Sequence, residues 1–162
     1  MSAPTASARR IPLPTAPVLI STVYGICVIG LIAFFVGEIV FTDHDPWATD
    51  GPVDSIRNIL IVGTGALVLA VLLGQRLVQT PERARVGAIL FGALSVVSIV
   101  FFWSGAPGIF GACSAWLAGL TRCSRPLGGA ARVVGLVGLF MAVLNVLLTV
   151  GGVLWAVAGL DS

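Results

Sequence analysis

The sequence predicts an all-α protein: a polytopic membrane helix bundle of five transmembrane helices, N-terminus inside and C-terminus outside. Three observations lead there. Of the 162 residues, 57% are hydrophobic and only 10% charged, against roughly 25% charged in a soluble domain. Mean hydropathy is +1.06. The apolar residues also gather into runs near the ~20 residues that a helix needs to cross a ~30 Å hydrocarbon core. Such uninterrupted runs are not alternating barrel strands, and in hydrocarbon a helix pairs its own backbone groups. The balance excludes a soluble enzyme, a disordered chain and a disulfide-stapled secreted domain.

Residues 1–16 read as a short disordered cytoplasmic tail. Arg9-Arg10 ahead of an apolar stretch is similar to a twin-arginine export signal. However, the following Ile11-Pro12-Leu13-Pro14, the length of the run and the lack of a small-x-small cleavage site favour an uncleaved first helix. The first run is Pro17 to Phe41, the second Asn58 to Val78, the third Val86 to Trp103 and the last Val133 to Leu160. Between the last two lies Ala106 to Thr121, apolar but only 16 residues long. It would cover about 24 Å as a helix, so the alternative is four spans plus a re-entrant segment at 106–121. Residues 17–78 form an N-terminal hairpin with an acidic outer loop at 42–57. Residues 84–162 form a glycine-rich three-helix unit.

Arginine placement favours five crossings. All nine basic residues are arginine, and basic residues near span ends collect on the cytoplasmic side. With five crossings, Arg9, Arg10, Arg76, Arg83, Arg85, Arg122, Arg125 and Arg132 lie inside, and only Arg57 lies outside. If 106–121 does not cross, the sequence argument moves Arg122, Arg125 and Arg132 outside and the bias disappears. With five crossings, Trp47, Trp103 and Trp155 fall near the outer face, where amphipathic rings favour the headgroup level. The absence of lysine and the 20 glycines point to a high-GC bacterial genome and a multi-pass protein of the bacterial cell membrane. A net charge of +2 with scattered arginines does not point to nucleic acid.

Few polar groups are available for chemistry. In the outer loop Asp43, His44, Asp45, Asp50 and Asp54 are candidate cation or partner contacts, although their spacing matches no calcium loop and one histidine makes no zinc site. Gly51-Pro52 followed by Asp54 reads as the start of a helix. Glu38 is the one acid inside a span, and Arg57 sits at similar depth on the next helix, so an interhelical ion pair accounts for both. Asn145, with Thr149 one turn on, needs a partner on another helix. Cys27 and Cys113 lie in apolar runs and Cys123 near a boundary, with neither disulfide nor metal-ligand spacing. No catalytic residue, cofactor site or metal site is expected.

Small residues at four-residue spacing are the strongest repeated signal. Ala84, Ala88 and Gly92 share one face, as do Gly111, Ala115 and Gly119; Ala131 with Gly135, Gly138 with Ala142 and Gly152 with Ala156 give further pairs on the last helix. They let backbones approach closely. The runs from Arg85-Val-Gly-Ala through Gly-Leu-Thr-Arg122 to Arg132-Val-Val-Gly-Leu lie within residues 85–157. This stretch resembles glycine-rich multi-span domains of small actinobacterial membrane proteins of unknown function. The resemblance implies the topology and carries no catalytic residue. The expected function is a non-catalytic accessory, assembly or stabilising subunit of a larger membrane complex, in contact with the lipid bilayer and other membrane subunits. A small oligomeric channel or transporter component is the alternative.

Overall fold

The structure is a computed structural model that describes residues 14–41, 51–122 and 124–160. The described residues form five helices, α1 (Ala16–Phe41), α2 (Pro52–Leu77), α3 (Pro81–Val97), α4 (Ala106–Leu117) and α5 (Ala130–Leu160). A 3-10 segment, Ser98–Ser104, continues α3. Four stretches are long and apolar enough to cross a membrane: Ala16–Phe41, Pro52–Leu77, Pro81–Ser104 and Ala130–Gly159. The multi-pass membrane class therefore stands.

Helix starts follow local chemistry. Proline occupies one of the first two positions of α1, α2, α3 and α4, where its missing N–H costs nothing. The Thr80 hydroxyl caps α3 by accepting from the Arg83 N–H at 3.3 Å. Asp54 lies in the first turn of α2, as the Gly51-Pro52 signal implied. The helix starts there, six residues before the apolar run at Asn58, because charged residues are tolerated in a first turn that reaches the membrane boundary.

The expected fifth span is not among the four. Helix α4 has 12 residues, about 18 Å, which is too short for a ~30 Å core. Its position is unusual. The chain reverses at Gly105, whose φ of +74° only glycine adopts without strain. That turn packs on Cys27 and Val28, the middle of α1, where α1 carries a π-turn at Gly25–Ile29. At 1.5 Å per residue, Gly105 lies about 17 Å along α1 from Ala16 and about 21 Å from Phe41. Trp103 lines a space with Leu31 and Phe35 of α1 and with Ser55, Asn58 and Ile59 in the first two turns of α2.

Helix α4 then runs back beside α3. The Ser95 hydroxyl donates to the Pro107 carbonyl at 2.7 Å, and the Ser114 hydroxyl to the Ala88 carbonyl at 2.7 Å. These bonds set an antiparallel register. Beyond α4, the Arg122 N–H donates to the Pro14 carbonyl at 2.9 Å. The end of the α3–α4 hairpin thus returns to the level where α1 begins. Arg122, Arg125 and Arg132 follow that return, so they stay with Arg76, Arg83 and Arg85 although 106–121 is no full-length helix.

Helix α4 is the hub. Ten of its twelve residues are buried, in contact with α1, α2, α3 and α5. One core runs from Ile20 and Val28 through Ile59 and Ala70 to Ala112 and Ala142, so the N-terminal hairpin and the later helices share it.

Candidate functional site

The break between the 3-10 segment and α4 is the feature that needs chemical explanation. Ending one helix and starting another in a buried apolar interior frees carbonyls on one side and N–H groups on the other. Asn145, fully buried on α5, answers both. Its Nδ2 donates to the Phe102 carbonyl at 2.7 Å, and its Oδ1 accepts from the Gly108 N–H at 3.2 Å. A carboxamide is suited to this because it carries a donor and an acceptor on one planar group. Ser104, also buried, donates to the Phe101 carbonyl at 2.6 Å and accepts from the Ala106 N–H at 3.3 Å. Together they close the break on both sides of Gly105.

Close packing brings α5 within reach. A Cβ on Gly111 would strike the Gly138 carbonyl, one on Gly92 would strike Val134, and one on Gly135 would strike Ala118. A Cβ on Gly138 would meet Ser114 at 2.8 Å. Ala84, Ala88 and Ala115 are buried on the same faces. Gly119 is a correction. It does not belong to the packing stripe but ends α4, with φ of +78°. The Gly119 N–H donates to the Trp116 carbonyl at 3.0 Å and the Leu120 N–H to the Ala115 carbonyl at 2.9 Å, the paired bonds of a Schellman motif. A side chain there would collide with the Arg125 carbonyl.

The remaining candidates lie apart from this break. Arg57 pairs with Asp54 at 2.9 Å, three residues away on α2. This pair lies within one helix, at the start of α2. Asp43, His44, Asp45 and Asp50 lie outside the described residues. Thr149 is buried against the Cys27 thiol, with no hydrogen bond of good geometry among the described residues. The described residues hold no group of three metal-ligating side chains. Sequence reasoning missed Ser95, Ser104 and Ser114, whose small size hid them among glycines and alanines. It also missed the Tyr24–Thr64 hydroxyl contact, 3.1 Å long, between α1 and α2.

No family model, curated protein or solved structure matches the chain. What can be said of its role therefore rests on this geometry. Among the described residues, each buried side-chain nitrogen or oxygen except Thr149 Oγ1 has a hydrogen-bond partner. The polar groups at the break hold backbone.

Proposed function

We infer that this chain is a non-catalytic integral membrane protein acting as an accessory, assembly or stabilising subunit of a larger membrane complex. The observation that carries the reading is the contrast between its two halves. Around α4 the helices interlock at glycine and their polar side chains are spent on backbone. Beyond the Gly105 turn, Gly30–Phe41 of α1 has no buried residue. On α5, Gly151 and Gly152 have nothing within 4 Å of a Cβ position, and Trp155 is 84% exposed. Those helix ends present apolar, small-residue surface to whatever stands beside them in the bilayer. Subunits of a complex supply such neighbours. Purification in a gentle detergent tests this: co-elution with other membrane proteins in fixed stoichiometry supports it. A lone monomer or a symmetric homo-oligomer overturns it.

The same geometry supports a finer topology: α1, α2 and α5 cross, while Pro81–Ser104, long enough to cross by length alone, turns back at Gly105 against the middle of α1 and forms with α4 a re-entrant hairpin entering from the basic side. The N-terminus is inside and the C-terminus outside. Six of the seven described arginines then share one side with Glu82 as its only described acid, in keeping with the positive-inside rule.

A second reading, an oligomeric channel or transporter component, draws on the helix broken near mid-depth, a device that also builds solute paths. Thr149 lines a cleft of about 110 Å³ beside Phe102 and Leu148. In reconstituted vesicles, ion flux abolished by Glu38→Gln or Asn145→Leu supports this second reading, and flux unchanged by both removes it.

A further inference from the structure

The basic end of the bundle carries a cavity that none of the foregoing uses. It has a volume of about 680 Å³ and lies between the start of α1, the α2–α3 turn and the segment after α4. Arg122, Arg125, Ser124 and Gln79 supply its polar wall. Both arginines are exposed, and the one ion pair found among the described residues is elsewhere, between Arg57 and Asp54. Among the described residues, no carboxylate lines the cavity.

Trp116, Ala16 and Pro17 also line a second space, a groove of about 360 Å³ that climbs between α1 and α2. Its walls are Ile20 and Tyr24 on one side and Leu67 and Val71 on the other, each pair spaced one helical turn apart. Trp116 of α4 packs on Gly74 of α2 at this end and forms part of the groove's wall. The Tyr24–Thr64 contact draws them together again higher up. From Ala16 to Tyr24 it runs about 12 Å into the apolar zone.

We propose that these two adjacent spaces, which share Ala16, Pro17 and Trp116 in their walls, bind one anionic phospholipid, its phosphate at Arg122 and Arg125 and one acyl chain in the α1–α2 groove. Charge complementarity and adjacency select this occupant. Guanidinium groups at the headgroup level attract anionic lipid, and an apolar trough opening from that level accepts the attached chain. A soluble phosphate compound would satisfy the arginines and leave the groove unfilled. A zwitterionic lipid would fill the groove without favouring the two unpaired positive charges.

Native mass spectrometry of the full chain, offered equal phosphatidylglycerol and phosphatidylcholine, tests the proposal. The expected result is retained phosphatidylglycerol in preference to phosphatidylcholine. The Arg122→Gln/Arg125→Gln double variant should lose roughly tenfold of that preference. Arg83→Gln/Arg85→Gln, at the same end but outside the cavity lining, should keep it. Ser21→Trp, an exposed groove position, should lower retention of the lipid with both arginines intact. Equal loss in both double variants would mean diffuse surface attraction and overturns the site. Retention untouched by Ser21→Trp, or displacement of lipid by millimolar inorganic phosphate, overturns the acyl groove. A photo-crosslinker at position 21 that captures residues 1–13 of the chain itself, and no lipid, would also overturn it.

Discussion

Asn145 illustrates how much one side chain can carry in an apolar interior. It bonds the Phe102 carbonyl and the Gly108 N–H across the helix break. Asn145→Leu removes both bonds and leaves two backbone groups unpaired. A buried unpaired group costs about 1–3 kcal/mol, whereas side-chain hydrogen bonds within membranes average about 0.6 kcal/mol because the unfolded helices find other partners. We expect a loss of about 2 kcal/mol, measured by detergent-induced unfolding in mixed micelles. Glycine contrasts sharpen the point. Gly111→Ala forces a methyl against the Gly138 carbonyl and should cost about 1–3 kcal/mol. Gly151→Ala meets open space and should lie within about 0.5 kcal/mol of the parent. Asn145 was legible as a residue needing a partner, because carboxamides are costly in hydrocarbon. That its partners are backbone groups at a break was not, since nothing local to position 145 encodes a turn at Gly105.

Elements show the same division. Helix starts at Pro52 and Pro81 follow rules visible along the chain. The end of α4 was open to misreading, because Gly119 continues the four-residue spacing of Gly111 and Ala115 yet serves as the left-handed cap. Spacing cannot separate the two roles; the backbone angle does. Gly119→Ala meets both a left-handed φ and a collision with Arg125, while Gly129→Ala meets only the φ of +66°. The left-handed conformation alone costs about 1–2 kcal/mol. Gly119→Ala should therefore destabilise more than Gly129→Ala, read in the same unfolding assay, and equal losses would deny the cap its packing role. The short α4 had a second ambiguity. Its sequence length was too small for comfort as a span, yet the arginine distribution favoured a crossing. The re-entrant hairpin proposed above would meet both constraints; it extends the re-entrant alternative at 106–121 to include α3.

At the scale of the whole molecule, the prediction concerns sidedness. The re-entrant reading places the turn near the middle of α1, so a cysteine there should be sheltered from the outer solution. With Cys123→Ser as background, Phe101→Cys should resist a membrane-impermeant maleimide added outside. A five-span protein would place that position at the outer end of its third span, beside the 104–105 loop, where it should label. A reporter after Ser162 should respond from the outside in either case; a cytoplasmic response would overturn the orientation.

The sequence by itself determined the membrane class, the helical state and the gathering of arginines near particular helix ends. Those follow from summed hydrophobicity, from backbone groups that have no water to pair with, and from the cost of charge in hydrocarbon, all of which act locally along the chain. Only the tertiary structure decided which helices α4 packs against, what Asn145 holds and that the basic end lies beside an apolar groove. These depend on which helices meet at which height, and that is settled by close approach at Gly92, Gly111 and Gly138 and by the packing of Trp116 on Gly74.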